Sequence, residues 1–415
     1  MHLRRVQIPD YRVLQGVDLR FDAGVSPQVF PLGSENGGGK STLLQLVFVL
    51  LHCAGDPERA EFVHNVMASF VHPAELAEKV VARFELEDGP RVRTLEFVSL
   101  GDRFLRDMLG DEAPESGFAA MAEPGGDAQR QIDGLLTARH HVLVTRWGGG
   151  TEPRDHRILV VREQGSAPRE LIAFLERCRS SIFLLSPPSQ PYLFLADATR
   201  QLFVSGRGRR GGRSARASAA ELRGHSRLIA YLSDLERAAR ALPGFFAYDW
   251  VSVDSLVKLF QHARDRDFAR AVEAGGQYGT AYVDFLREVN ALLQGKEVRP
   301  LPDLSGVEFI VTNAEGVERV LGPEDLSRGE LKRLMIFAWL RANATEDAIV
   351  LMDEIELSLH PDWQYRIVRD LVEWAPAAQF VLATHSHEVC QAVTPAHVRE
   401  LEPRLAKRVD DGAAS

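Results

Sequence analysis

The feature that most constrains this chain is the glycine-rich turn Gly33-Ser-Glu-Asn-Gly-Gly-Gly-Lys-Ser-Thr42, which lies between an apolar run at 29–32 and an apolar helix pattern at 43–51. A strand, a glycine-rich turn, Lys-Ser and a helix, in this order, are typical of a phosphate-binding loop. Glycines let backbone N–H groups surround a polyphosphate, and the helix directs its positive end at the same anion. Lys40 would add a charge for the β- and γ-phosphates, and the Ser41 hydroxyl would be placed to ligate Mg²⁺.

The loop departs from the usual motif at one position. Counted back from Gly39, the first glycine of the pattern would stand where this chain has Ser34, and Gly33 lies one position early. The inner part of the loop still matches, so a chance glycine-rich turn before Lys-Ser is the weaker interpretation. The predicted nucleotide-binding residues of the loop are Asn36, Gly37, Gly38, Gly39, Lys40, Ser41 and Thr42.

Composition limits the possible protein classes. The 415 residues can form one large domain or two to three ordinary ones. A formal charge of −9 argues against a generally basic nucleic-acid coat, although a local basic patch remains possible. Cys53, Cys178 and Cys390 are far apart and form no zinc or disulfide pattern, so a reducing cytoplasm fits. Apolar runs are too short for a membrane span, so we expect a cytoplasmic protein with no membrane partner.

The N-terminal part is predicted to be rich in strands. A hairpin is expected at 79–87 and 92–98, around Asp88-Gly-Pro90. The composition of residues 110–130, rich in Gly, Pro, Ala and acidic residues, predicts a mobile surface loop. Residues 1–200 would form the first part of an α/β head with a β-subdomain. Other strands are expected at 2–8, 14–21, 28–32, 141–146 and 157–162, with a helix at 168–179.

The middle of the chain has a different character. Ser205–Arg216 carries five arginines and no acid, which predicts a flexible segment. A solvated loop is the favoured interpretation, and contact with a nucleic-acid backbone is the alternative. Helical patterns dominate 219–295, so residues 201–300 are predicted to be an arginine-rich loop and a helical insertion. Residues 301–405 would complete the head.

Three further motifs stand near the C-terminus. Leu326-Ser-Arg-Gly-Glu330 precedes an apolar helix pattern. An apolar strand at 348–352 ends in Asp353-Glu354, and another at 379–383 ends in Thr384-His-Ser386. Open parallel sheets bind ligands at the carboxyl edges of their strands, so these polar groups are expected to share one site.

Together with the phosphate loop, these motifs resemble ABC-type ATPases, and Asp353–Gln364 resembles the soluble OLD/RecF/SMC-like branch of AAA family ATPases in bacterial defence or DNA maintenance. The resemblance covers roughly residues 1–55 and 320–390. It implies an α/β fold, a P-loop ABC-type ATPase head with a mixed central sheet, an antiparallel β-subdomain and a helical insertion. It also implies ATP and Mg²⁺ as cofactors.

The resemblance assigns roles by position. Glu354 would polarise the attacking water, His385 would sense the γ-phosphate, and Lys40 completes the catalytic set. Asp353 and Ser41 would hold the metal. The signature residues Ser327, Gly329 and Glu330 would bind the γ-phosphate on the other subunit of an ATP-dependent, head-to-tail homodimer. The adenine-side glutamine is left open between Gln131 and Gln190, with Gln190 favoured.

Some of these residues also have structural interpretations. Asp353-Glu354 could cap a helix, and His385 could be a hydrogen-bonded core histidine. His385 and His387 lack further nearby metal ligands. His360-Pro361 is expected to shape a turn, and Trp363 to pack.

The expected function is a nucleotide-dependent switch acting on DNA or on a separately encoded effector protein, in genome maintenance or anti-phage defence. An ABC transporter ATPase is less favoured, because the signature lies far beyond Lys40 and no membrane partner is indicated. A fused nuclease is not favoured either, because Asp265-Arg-Asp267 follows no apolar strand and reads as a solvated helix face. A non-hydrolysing ATP-binding scaffold would fit Ser34 but not Glu354 and His385.

Overall fold

The computed structural model describes residues 1–33, 37–122, 126–147, 156–188, 195–196, 199, 228–248, 253–343 and 347–401. Among these residues, no helix combines the length and the apolar character that a membrane crossing requires.

The strands of this part are β1 (His2–Tyr11), β2 (Leu14–Arg20), β3 (Val29–Gly33), β4 (Glu78–Asp88), β5 (Arg91–Leu100), β6 (Val142–Trp147), β7 (Arg157–Glu163), β8 (Ile182–Ser186), β9 (Phe245–Ala247), β10 (Glu297–Pro300), β11 (Val307–Thr312), β12 (Glu318–Leu321), β13 (Ile349–Asp353), β14 (Gln379–Ala383) and β15 (Arg399–Glu400). The helices are α1 (Lys40–Cys53), α2 (Ala60–Met67), α3 (Asp102–Leu109), α4 (Asp127–Ala138), α5 (Pro168–Ser181), α6 (228–241), α7 (Asp254–Glu273), α8 (Ala281–Leu292), α9 (Arg328–Asn343), α10 (Pro361–Trp374) and α11 (His387–Gln391).

The strands form three sheets. The central sheet has the order β15-β3-β14-β13-β8-β9, and its described pairings are all parallel. A six-stranded sheet, β2-β1-β4-β5-β7-β6, and a three-stranded sheet, β10-β11-β12, are antiparallel. The expected α/β class with an antiparallel subdomain is confirmed. The central sheet is parallel where a mixed one was expected, because the N-terminal hairpin strands form a sheet of their own.

Helix α1 lies between the two large sheets. Every residue from Leu43 to Cys53 is buried. One hydrophobic cluster joins α1 to Phe84 and Phe97 of the antiparallel sheet and to Leu351 of the parallel sheet. A helix that is apolar on all sides must be covered on all sides. The stacking therefore fixes the start of α1, and with it the phosphate loop, against the edge of the central sheet.

The opposite face of the central sheet carries helices α7 to α10. Side chains alternate along the buried strands: Leu351 faces α1, whereas Val350 and Met352 join the second cluster. That cluster includes Phe260 of α7 and Val289 of α8. The predicted helical insertion thus packs directly on the ATPase-like core. Its division from the rest of the chain at residues 200 and 300 stays a prediction.

Two expectations for the chain outside the motifs were wrong. Residues 219–295 are not wholly helical, because β9 pairs in parallel with β8 at the edge of the central sheet. Gly110–Glu112 and Gly117–Ala122 form short 3₁₀-helices, and Phe118 and Met121 are buried in a third cluster with Ile132 of α4. A few apolar residues in a Gly- and Ala-rich stretch were enough to dock it on the antiparallel sheet.

Asp267 was also misread as part of a solvated helix face. It is 8% exposed, and its carboxylate accepts the N–H groups of Ala281 and Tyr282 at 2.8 and 2.9 Å. It therefore satisfies backbone donors at the start of α8, a need that every helix N-terminus has. Asp265 is exposed and pairs with Arg264, as expected for a surface residue.

Candidate functional site

The register of the central sheet brings the sequence motifs to one edge. Asp353 at the end of β13 pairs with Ala383 at the end of β14, and Ala383 pairs with Leu32 of β3. Three neighbouring parallel strands therefore end level with one another. The phosphate loop, Glu354 and His385 leave the sheet side by side, as parallel-sheet geometry predicts.

The described part of the loop has the backbone that its glycines permit. Gly37 and Gly39 both have φ of 85°, a left-handed conformation that side chains disfavour. A Cβ on Gly39 would lie 2.7 Å from Leu14 Cδ2 and 2.8 Å from Val13 Cγ2. Gly38 is buried, whereas Asn36 and Ser34 lie outside the described residues. The turn between β1 and β2 thus closes on the loop and leaves no room for a side chain at position 39.

Lys40 and Ser41 both reach across to the other motifs. Lys40 is 5% exposed, and its Nζ lies 3.4 Å from Nδ1 of the exposed His385. Burial lowers the pKa of the Lys40 ammonium, and the nearby carboxylates of Glu356 and Asp353 oppose this shift. The Ser41 hydroxyl donates a hydrogen bond to Asp353 Oδ1 at 3.0 Å. Residues more than three hundred positions apart thereby form one cluster, and Thr42 follows them, partly exposed, in α1.

Asp353 is the most deeply buried acid of this cluster. It is 1% exposed, and its Oδ2 has no hydrogen-bond partner among the described residues. Burial raises its pKa to about 7, with a smaller contribution from the charges of Glu354 and Glu356. A buried, unsatisfied carboxylate oxygen is costly, so it indicates a place where a cation would bind.

The donor set fits Mg²⁺. Carboxylate and hydroxyl oxygens are hard ligands, and Mg²⁺ in nucleotide sites is bound by one or two protein groups together with phosphates and water. Ser41 and Asp353 supply such groups. The described residues contain no group of three or more His, Cys, Asp or Glu side chains that could hold a metal by themselves. His385 and His387 are not part of such a group.

The backbone of Glu354 is held in a strained conformation. Its φ is 49°, although it is not a glycine. The Glu354 N–H donates to the Ala383 carbonyl at 2.9 Å. The buried Lys332 ammonium donates to the carbonyls of Glu354 and Leu357, each at 3.1 Å. Such strain persists only where the surroundings enforce it, and it is common at functional sites.

Sequence reasoning missed Lys332 and Glu356. Glu356 is 9% exposed, and its Oε1 accepts the backbone N–H of His385 at 2.6 Å. The available signals were an acid two residues beyond Glu354 in the run Asp353-Glu-Ile-Glu356, and a lysine two residues beyond the signature residue Glu330. Neither pattern shows burial, which depends on how α9, β13 and β14 pack together.

The signature residues have two different roles in the structure. Ser327 is exposed at the start of α9. Its hydroxyl donates to Glu330 Oε2 at 2.7 Å. Its backbone N–H donates to the same oxygen at 3.0 Å, while the Glu330 N–H donates to Ser327 Oγ at 3.3 Å. This reciprocal pair is a capping box. The other Glu330 oxygen accepts from Lys296 at 2.5 Å. Glu330, predicted to contact nucleotide, is therefore engaged on both oxygens in holding the start of the helix.

Gly329 is required by packing. A Cβ there would lie 2.7 Å from the Ser358 carbonyl oxygen and 3.1 Å from the Trp363 ring. Trp363 packs against the second hydrophobic cluster, as predicted. His360 caps α10, where its Nδ1 accepts the N–H of Asp362 at 3.4 Å, so this residue does shape the turn.

The remaining predictions concern residues away from this cluster. Gln131 lies in α4, whose buried side chains belong to the third cluster on the outer face of the antiparallel sheet. That cluster includes no residue of the central sheet, which makes Gln131 a poor candidate for the adenine side. Gln190 and the five arginines between 207 and 216 lie outside the described residues.

One known family matches the second half of the chain. Residues 196–390 match the family described as AAA domain, putative AbiEii toxin, Type IV TA system. The match covers slightly less than half of the chain. The match includes the signature, Asp353, Glu354 and His385, and the phosphate loop precedes it in the chain. The ATPase resemblance inferred from the motifs is confirmed.

Two curated relatives match over short segments. The chain is 49% identical over 51 residues to the Retron Vc95 probable ATPase of Vibrio cholerae serotype O1 biovar El Tor, covering 12% of this chain and 10% of the relative. It is 47% identical over 45 residues to the Retron Ec83 probable ATPase of Escherichia coli, covering 11% of this chain and 8% of the relative. The matched segment thus spans a tenth or less of either relative.

Among solved structures, the SMC head domain from Thermotoga maritima aligns with 96% of this chain and 94% of its own, at 12% identity and a TM-score of 0.42. An SMC head bound to the C-terminal winged-helix domain of ScpA aligns with 95% of this chain and 92% of its own, at 12% identity and a TM-score of 0.40. Both are distant likenesses.

Proposed function

We propose that this protein binds and hydrolyses ATP, and that the nucleotide switches two copies between closed and open arrangements in a bacterial defence system. The meeting of Lys40, Ser41, Asp353 and His385 at one sheet edge is the observation that carries the proposal. The family description and the names of the two retron relatives support the defence context.

Hydrolysis of a phosphoanhydride needs positioning and charge neutralisation more than covalent chemistry. The phosphate loop would bind the β- and γ-phosphates through its N–H groups and Lys40. Glu354 would orient the attacking water and accept its proton, and its strained backbone is fixed by Lys332. His385 is exposed beside Lys40, where it can hydrogen-bond to a γ-phosphate.

Ser41 and Asp353 would hold Mg²⁺, which fits the unpaired Asp353 Oδ2. When bound, the metal supplies positive charge that neutralises the phosphate oxygens. Without it, Asp353 is a buried acid whose raised pKa favours the neutral form.

The switch requires a second copy. Ser327 is exposed at the N-terminus of α9, which offers N–H groups to an anion from outside. Its hydroxyl and its N–H bond to Glu330, and the described part of the phosphate loop of its own chain receives no bond from it. We therefore propose a head-to-tail homodimer in which each signature turn closes on the ATP of the other copy. The favoured target is a separately encoded effector protein, because the chain is acidic overall. DNA is the alternative.

The decisive experiment measures ATP binding and turnover by the purified protein. Glu354→Gln is expected to keep ATP affinity within about threefold and to lower turnover by about 10²-fold or more, because the carboxylate that organises the water is lost. Lys40→Ala should weaken binding itself. Asp265→Asn is the matched control, since it removes a surface carboxylate of α7 that pairs with Arg264.

Near-normal turnover in the Glu354→Gln protein would contradict the catalytic assignment. Absence of ATP binding by the wild type, with Mg²⁺ present, would contradict the proposed function as a whole.

A further inference from the structure

We infer that Glu356 is a positioning residue for hydrolysis: it fixes the His385 loop against the loop that carries Glu354, and it presents a negative charge to the phosphate site. This inference rests on the proposed ATPase function and adds a residue to it.

A short hydrogen bond from the Glu356 side chain connects the two loops. Glu356 Oε1 accepts the His385 N–H at 2.6 Å, and the residues lie just beyond the ends of the paired strands β13 and β14. Hydrogen bonds to an ionised carboxylate are stronger than neutral ones. The bond holds the backbone of His385, whose side chain is exposed and could otherwise take several orientations.

His385 in turn lies against the phosphate loop. Its Nδ1 is 3.4 Å from Lys40 Nζ. Glu356, His385 and Lys40 therefore form a continuous series of contacts from the Asp353-Glu354 strand to the lysine that would bind phosphate. A displacement of His385 by about 1 Å would be enough to lower the rate by about 10²-fold if it contacts the γ-phosphate.

The second oxygen of Glu356 gives the inference its charge component. Oε2 is buried and has no hydrogen-bond partner among the described residues. Holding the His385 N–H requires only one carboxylate oxygen, so this role does not explain the second, buried oxygen near the buried Lys40 and Asp353. Through His385 and Lys40, the Glu356 carboxylate lies next to the place where the γ-phosphate would bind. The negative charge of Glu356 would repel an incoming γ-phosphate.

Two substitutions separate the two components. Glu356→Gln keeps an acceptor for the His385 N–H but removes the charge, and Glu356→Ala removes both. For Glu356→Ala we expect kcat to fall by about 10- to 100-fold. For Glu356→Gln we expect kcat to stay within about threefold of wild type. This variant should bind ATP more tightly than wild type, because the charge that repels the γ-phosphate is removed. ATP Kd and single-turnover rates are the measurements.

A double-mutant cycle tests whether Glu356 acts through His385. In a His385→Ala background, Glu356→Ala should cost no more than about twofold, because the ring that it positions is absent. The matched structural control is Asp267→Ala, which removes a similarly buried carboxylate from two backbone N–H groups far along the chain. It should lower stability and leave kcat within about twofold.

Equal loss of kcat in the Gln and Ala variants would overturn the inference, as would an unchanged cost of Glu356→Ala in the His385→Ala background. Wild-type turnover with no effect of either substitution would also overturn it while leaving the proposed function intact. A lack of wild-type turnover would instead count against the proposed function. If Glu356→Ala does not fold, Glu356→Gln still tests the charge component through ATP Kd, and unchanged affinity would contradict it.

Discussion

Replacing Asp353 by asparagine should change how the stability of the nucleotide-free protein depends on pH. Asparagine has nearly the same shape, keeps an acceptor for the Ser41 hydroxyl, and carries no charge at any pH. The wild-type carboxyl is 1% exposed, and burial raises its pKa from 3.8 to about 7. The folded chain therefore favours the protonated form of this residue.

The sign follows from linkage. Below about pH 4 the carboxyl is protonated in both the folded and the unfolded chain, and it costs nothing. Between about pH 4 and 7 the unfolded chain ionises while the folded chain does not, so stability is lost as pH rises. At about 1.36 kcal/mol per pKa unit, the total loss is at most ~4 kcal/mol and is complete slightly above pH 7. Asp353→Asn avoids this loss.

Urea unfolding of both proteins, with a chelator and without nucleotide, should show a difference in unfolding free energy that grows in favour of the variant from pH 4.5 to 7.5 by about 2–4 kcal/mol. Groups that titrate alike in both proteins cancel in this difference. Adding Mg²⁺ and ATP should reverse the order, because only the wild type would gain binding energy through the metal. A difference that stays flat across this pH range would refute the claim that Asp353 is held in a buried, protonated state.

Two further outcomes concern assembly and partners. Mixing Lys40→Ala with Ser327→Arg protein should restore about one working site per heterodimer, since each copy would supply the half that the other lacks. Size-exclusion chromatography with ATP and the turnover of the mixture measure this. A mixture with no restored turnover would contradict the head-to-tail dimer. If the arginines between 207 and 216 contact DNA, affinity should fall steeply between two salt concentrations and be lost when all five become serine. Equal DNA affinity of both proteins would favour the effector protein as the target.

The sequence was informative where structure is set locally. Glycines at 37 and 39 do adopt left-handed φ, and the apolar runs before Asp353 and Thr384 are buried parallel strands. The strands can be recognised in the sequence, and parallel sheets bind ligands at the carboxyl ends of their strands. These two facts were sufficient to predict that the phosphate loop, Glu354 and His385 would meet. The resemblance to ATPases followed from the same motifs.

The sequence was misleading where a polar residue could serve either a ligand or the backbone. Glu330, whose nucleotide contact stays a prediction, completes a capping box and pairs with Lys296. Asp267 looked solvated but is buried under the start of α8. Both roles depend on a partner that spacing alone does not specify, because a carboxylate accepts N–H groups and cations alike.

By itself, then, the sequence determined the class of fold, the phosphate loop and the strand ends that carry Asp353, Glu354 and His385, since each depends on residues within a few positions of one another. Only the tertiary structure decided that β9 joins the central sheet and that Glu356 holds the His385 loop. It also decided that Asp353 Oδ2 is buried with no hydrogen-bond partner in the part of the chain that the structure describes. Burial and charge pairing arise where distant segments exclude water together, and no local pattern records which segments those will be.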